Sequence, residues 1–154
     1  FGLAVAVTRC SNLYGGGDVS WNRLIPGTIR SLLRHEQPVI RSDGSFRRDY
    51  LYVADAVRGY LMLAERLTEP GVRGEPFNLG SGCPVSALDV VRTIIALSEH
   101  ADWQPLILNE VKHEIQDEYL SPRKALAAVG WEPQYSLAAG LEEAMRWYRA
   151  YLRP

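Results

Sequence analysis

The stretch FRRDYLYVADAVRGYLMLAERL, Phe46 to Leu67, changes its hydrophobic period halfway along. Asp49-Tyr50-Leu51-Tyr52-Val53 is rich in aromatic and β-branched residues, which pack well on a pleated surface, and it reads as a strand. From Asp55 to Leu67 the apolar residues Val57, Tyr60, Leu61, Ala64 and Leu67 fall at helical spacing, so the strand passes into a helix.

The same alternation extends in both directions. Upstream, Phe1-Gly2-Leu3-Ala4-Val5-Ala6-Val7 is a continuous apolar run with no leading cap or turn, and it reads as a fully buried strand. Such a strand needs partners on both sides, so the chain is expected to be part of something longer. Asn12 to Asp18, with three successive glycines, reads as a loop at the carboxyl end of that strand. Leu24, Ile25, Ile29, Leu32 and Leu33 give a helix between Arg23 and Arg34, with Pro26 tolerable in its first turn. Pro38 to Arg41 reads as a short strand closed by a turn at Ser42 to Ser45. Downstream, Phe77 to Gly80 forms a strand, Ser86 caps a helix running to Leu97, and Pro105 to Leu108 forms another strand. Ser121-Pro122 starts a helix ending at Gly130, and a last helix covers Leu137 to Leu152. With no repeat or long linker, residues 1–154 read as a single α/β unit, some of whose strands belong to a small lobe outside the main sheet.

With 47% hydrophobic and 23% charged residues, the 154-residue chain has the make-up of a folded domain with a sizeable core. Its 17 Lys and Arg against 18 Asp and Glu give a net charge of -1, so no large field draws it to nucleic acid or to an anionic membrane surface. Anion recognition must therefore be local. No apolar run approaches the roughly 20 residues that span a bilayer, and no basic leader opens the sequence, which makes the cytoplasm the expected location. Cys10 and Cys83 each end an apolar segment and read as reduced structural thiols.

In open α/β sheets ligands bind outside the carboxyl ends of the strands. Arg9, Ser11 and Asn12 follow the first strand. The Asn12 amide can donate and accept at once, which suits a phosphate or a sugar hydroxyl, but Asn also simply closes turns. Arg9 reads equally as a structural ion-pair partner. In Arg47-Arg48-Asp49 an arginine can present a planar fork to a diphosphate, with Asp49 orienting it; a solvated surface pair is the alternative. Lys112-His113-Glu114 with Gln116 and Asp117 lacks metal-ligand spacing and reads as a charged loop that either is merely solvated or contacts a nucleotide. Trp131, Trp147 and Tyr148 read as packing anchors rather than base-stacking platforms.

Five ordered pieces carry a resemblance: TRCSNLYGGGD from Thr8 to Asp18, RLIP from Arg23 to Pro26, FRRDYLYVADAVRGYLMLAE from Phe46, FNLGSG from Phe77, and YLSPRKALAAVGWEP with LEEAMRWY. Together they resemble NAD-dependent nucleotide-sugar epimerases and dehydratases of the extended short-chain dehydrogenase type. The GGGD loop followed by RLIP, and EIQDEYLSPRKA, are most similar to CDP-glucose 4,6-dehydratases. The resemblance implies the C-terminal portion of an extended Rossmann-type fold: the last strands of a parallel sheet plus a small α/β substrate-binding lobe.

It also implies that Ser11 lies near the nicotinamide end of the cofactor and that Asn12 binds the diphosphate of a nucleotide-sugar substrate. Arg23 and Leu24 would approach the nucleotide, and Val39, Ile40 and Arg41 would line the nucleobase pocket. Arg48 would clamp the diphosphate, and Glu114 would contact the ribose or phosphates. Family members further carry a Gly-rich phosphate loop and a Tyr-x-x-x-Lys pair supplying the base. None of the eight tyrosines here is followed by a Lys four residues later, so no catalytic residue is expected in this chain. NAD would be bound mainly outside it, and the intact protein is expected to be a homodimer. A free-standing binding module and a non-catalytic interaction domain are the rival expectations.

Overall fold

The computed structural model describes residues 2–111 and 115–153. In chain order the elements are β1 (Val7–Cys10), β2 (Asn12–Tyr14), α1 (Leu24–Leu33), β3 (Val39–Ile40), β4 (Arg47–Arg48), β5 (Tyr50–Tyr52) and α2 (Val53–Glu65). They continue with β6 (Pro76–Leu79), β7 (Val85–Ser86), α3 (Ala87–Ala96), β8 (Leu106–Ile107), β9 (Asp117–Glu118), α4 (Arg123–Val129) and α5 (Leu137–Tyr151). β1 pairs in parallel with β6, β2 with β5, and β3 with β8. In the remaining sheet β4 lies between β7, to which it is antiparallel, and β9, to which it is parallel. The α/β class expected from the alternation is what the chain adopts.

Two apolar clusters hold these layers. In the first, Ile25, Ile29 and Leu32 of α1, Val90, Val91, Ile94 and Ile95 of α3, and Leu141, Ala144, Met145 and Tyr148 of α5 close over Tyr14 and Ile40. The second gathers Leu51, Phe77 and Leu79 from the strands with Ala56 and Leu63 of α2, Ala125 and Val129 of α4, and Trp131. α3 starts as its sequence suggests, because the Ser86 side chain accepts from the Asp89 amide and satisfies a free helix-start donor. Ser136 does the same for α5 through the Ala139 amide. Gly130 ends α4 at φ 72°, the left-handed conformation in which glycine has no Cβ to clash.

Several expectations give way. The opening run is not a buried strand: pairing starts only at Val7, and Leu3 is 74% exposed, Val5 49% and Val7 52%. Asn12–Tyr14 is a strand, not a loop, because its backbone pairs with Tyr50–Tyr52. α2 begins two residues earlier than its apolar periodicity suggests, and its expected apolar stripe faces outward. Val57, Tyr60 and Leu61 are exposed, whereas Asp55, Ala56, Gly59 and Leu63 are buried. Pro122 is the cap of α4 rather than its first helical residue. Cys83 is exposed and not a packed thiol; Cys10 is half-buried, its Sγ 3.2 Å from the Tyr60 hydroxyl. Among the described residues no helix is long and apolar enough to cross a membrane.

Candidate functional site

The Gly15-Gly16-Gly17-Asp18 segment is fixed from α5. Tyr148 donates its hydroxyl to the Gly15 carbonyl at 3.2 Å and to the Asp18 carbonyl at 2.6 Å. A Cβ on Gly16 would lie 2.5 Å from the Trp147 ring, so the tryptophan face and the loop backbone need that glycine. Asp18 then accepts from Arg23 Nη1 at 2.6 Å, while Arg23 Nη2 donates to the Leu13 carbonyl at 2.8 Å. The Arg23 guanidinium is thereby held at the start of α1 beside β2.

Burial, and secondarily the Asp18 carboxylate, push the Tyr148 hydroxyl up to about 12 from its ordinary 10.0. A folded-state value above the unfolded one favours the neutral hydroxyl. Its stabilisation is therefore complete below pH 10 and is lost as pH rises through 12. Urea midpoints followed from neutral pH upward should fall in that window, and Tyr148→Phe should show less of the fall; an identical alkaline profile in the variant would contradict this linkage.

Between α1, the β3 segment and β4 lies a cavity of about 680 Å³ whose wall includes Trp21, Arg23, Leu24, Arg30, Val39, Ile40, Arg41, Phe46, Arg48 and Tyr50. A second of about 220 Å³ adjoins it and shares Arg23, Leu24, Arg48 and Tyr50, adding Asn12, Leu13 and Tyr14. Seven residues singled out for substrate contact, Asn12, Arg23, Leu24, Val39, Ile40, Arg41 and Arg48, therefore border one continuous space. Among the described residues four arginines and no carboxylate line the larger part. Such a wall attracts an anion, with Arg23 and Arg48 held in place by Asp18 and Glu118.

Arg48 and Arg47 diverge as neighbours on an extended segment must. The Arg48 side chain is 18% exposed, with Nη1 donating to the Ile115 carbonyl at 2.7 Å and Nε 3.7 Å from Glu118 Oε2. Arg47 turns the other way, donating to the Pro84 carbonyl at 2.9 Å and lying 3.5 Å from Asp117 Oδ1. Asp49 does not orient either arginine. Its buried carboxylate accepts from the Ser81 amide at 2.9 Å, the Ser81 hydroxyl at 2.5 Å, the Gly82 amide at 3.3 Å and the Leu120 amide at 3.2 Å. An added Cβ on Gly80 would collide with the same carboxylate, so a glycine is required there. Asp49 thus ties the loop after β6 to the strand carrying Arg48.

Ser11 lies outside the arginine-lined space, just beyond β1. Its amide donates to the Leu79 carbonyl at 3.0 Å, and its hydroxyl is buried with no partner among the described residues. An orphaned hydroxyl at the carboxyl end of a parallel strand fits a cofactor amide or ribose hydroxyl. Glu114 lies outside the described residues. Sequence reasoning missed Arg30, Trp21, Phe46 and Tyr50 as cavity walls. For Arg30 the signal existed: seven residues after Arg23, it falls two turns along the same helix face.

The family model for the NAD dependent epimerase/dehydratase family matches residues 1–80. The CDP-glucose 4,6-dehydratase of Salmonella typhimurium is 29% identical over 99% of this chain and 43% of its own length. The dTDP-glucose 4,6-dehydratase of Haemophilus influenzae is 30% identical, covering 96% and 46%. Among solved structures, UDP-glucose 4-epimerase from Thermotoga maritima with UDP-glucose superposes with a TM-score of 0.85 at 30% identity, covering 96% of this chain and 47% of that one. The dTDP-glucose 4,6-dehydratase of Bacillus anthracis in complex with NAD gives 0.78 at 27%, covering 96% and 45%. The chain spans less than half the length of these relatives, and the match identifies it as a C-terminal portion of their extended fold. Its parallel strand pairs, its arginine-lined cavity and the 80 matched residues agree, and the chain belongs to the NAD dependent epimerase/dehydratase family.

Proposed function

We propose that this chain is the substrate-gripping part of an NAD-dependent enzyme that converts a nucleoside-diphosphate hexose, CDP-glucose being the example its sequence favours, to the 4-keto-6-deoxy sugar. The observation that carries the reading is the continuous cavity lined by four arginines and, among the described residues, no carboxylate, with Asn12 at one end. Arg48 and Arg23 hold the diphosphate through charge-assisted hydrogen bonds, and the Asn12 amide bridges a phosphate oxygen and the sugar. Leu24, Val39, Ile40 and Arg41 enclose the nucleoside, and Glu114 contacts the ribose or phosphates. The grip holds the hexose toward Ser11, whose hydroxyl, without a partner among the described residues, anchors the nicotinamide end of the cofactor.

NAD, when bound, supplies the hydride acceptor that makes oxidation at C4 possible. The base that takes the C4 hydroxyl proton comes from outside residues 1–154. Water is then lost across C5 and C6, and the hydride taken from C4 is returned to C6 with a proton added at C5, so that the 4-keto-6-deoxy sugar forms with no net oxidation. The exposed apolar surface of Val5, Val7, Val57, Tyr60 and Leu61 is the face against which that remaining portion packs. The intact protein works as a cytoplasmic homodimer.

The likeness to the Thermotoga maritima 4-epimerase supports a second reading, inversion at C4 without loss of water. Incubating the intact protein with NAD and CDP-, UDP- or dTDP-glucose separates the two: a 4-keto-6-deoxy product supports dehydration, and a C4-inverted sugar supports epimerisation. Residues 1–154 alone should give neither product. Turnover by residues 1–154 would overturn the placement of the base, and no turnover by the intact protein with any nucleotide sugar would overturn the function.

A further inference from the structure

In the grip proposed above Arg23 and Arg48 hold the diphosphate, which leaves Arg30 without a role. It lies two turns beyond Arg23 on α1, about 10 Å along the helix axis at 1.5 Å per residue. Both arginines line the same cavity, whose wall also carries Val39 and Ile40, the residues read above as enclosing the nucleoside. Its guanidinium carbon stands 5.1 Å from the Trp21 ring centroid, which restrains the planar group by stacking. Its Nε is buried and has no hydrogen-bond partner among the described residues. Nε has almost no accessible surface, so it is the terminal Nη1 and Nη2 of Arg30, a residue of the cavity wall, that can meet an acceptor on a ligand.

We propose that Arg30 is a specificity-determining residue that selects cytosine over uracil or thymine in the bound nucleotide. This rests on the nucleotide-sugar reading above. A guanidinium only donates, and it does so as a fork of adjacent N–H groups. Cytosine presents two adjacent acceptors, O2 and N3, which such a fork meets bidentately. Uracil and thymine carry a hydrogen on N3, so their corresponding edge is acceptor beside donor, and one N–H of the fork is left facing another N–H. The discrimination comes from leaving a buried donor unpaired with the wrong base as much as from the bond gained with the right one.

The test is isothermal titration of the intact protein with CDP, UDP and dTDP, for the wild type, Arg30→Met and Arg30→Lys. Wild type is expected to bind CDP roughly ten- to a hundred-fold more tightly than UDP or dTDP, the span for one bidentate base contact. Arg30→Met should lose that preference by weakening CDP while UDP and dTDP bind as tightly as before or more tightly, the unpaired donor being gone, and retained UDP affinity then shows that the cavity is intact. Arg30→Lys, with charge but no fork, should also lose the preference. An equal fall for all three diphosphates would make Arg30 a phosphate contact and overturn the proposal, as would a wild type indifferent to the base. If wild type binds none of the three, the nucleotide-sugar reading itself fails; if it binds all and Arg30→Met changes nothing, only the role of Arg30 does.

Discussion

Asp49→Ala should lower the unfolding free energy by about 3–5 kcal/mol, because three backbone amides and a hydroxyl lose their acceptor at once and each buried unsatisfied donor costs about 1–3 kcal/mol. The donors belong to Ser81, Gly82 and Leu120, and the Asp49 backbone adds to the junction: its carbonyl accepts from the Asn12 amide at 2.9 Å and its own amide donates to Glu118 at 3.0 Å. One residue thus joins the β2 edge, the β4 strand, the loop after β6 and the segment after β9. Asp49→Asn keeps one acceptor oxygen and should cost less. Urea unfolding of the intact protein measures both. A loss under about 1 kcal/mol for Asp49→Ala would show that water replaces the carboxylate, against its burial.

Trp131→Ala should be comparably severe, about 3–5 kcal/mol by the usual cost of removing a large buried aromatic side chain. The ring is fully buried in the second apolar cluster, and its Nε1 donates to the Asp55 carbonyl at 3.0 Å. The Asp55 carboxylate in turn accepts from the Gln134 amide at 2.9 Å and the Tyr135 amide at 3.0 Å, so the segment between α4 and α5 is pinned to α2. Gly59 allows the approach: a Cβ there would come within 2.8 Å of Leu79 Cδ1 and 2.9 Å of Trp131 Nε1. Trp131→Phe retains most of the apolar volume and should fall between wild type and Trp131→Ala. Equal unfolding midpoints for all three would contradict this packing account.

Much of the fold was legible because its signals are local. Ser86 before an apolar periodic run, Gly130 after one, and the change of period near Val53 each report a physical event within a few residues. What was not legible depends on partners distant in sequence. β2 is a strand because Tyr50–Tyr52 lies beside it, and nothing in Asn12-Leu13-Tyr14 reveals that. The buried face of α2 differs from its apolar stripe because Asp55, a charged residue, is drawn inward by two amides about eighty residues away, and Gly59 by the Trp131 ring. The same holds at the site. Asp49 next to two arginines suggests an ion pair, yet its partners are amides 32 and 71 residues on. The short strands β4, β7 and β9 are set by register across the chain, with Arg47 opposite both Ser86 and Asp117.

The central claim is that the arginine-lined cavity grips a nucleotide diphosphate through Arg48 and not through its neighbour. It is tested most directly by titrating CDP-glucose into the intact protein, its Arg48→Lys variant and its Arg47→Lys variant. Lysine keeps the charge and loses the planar fork, so Arg48→Lys should weaken binding by roughly 1–3 kcal/mol, while Arg47→Lys, which faces Pro84 and Asp117, should leave affinity unchanged. Equal effects of the two substitutions, or a loss confined to Arg47→Lys, would contradict it.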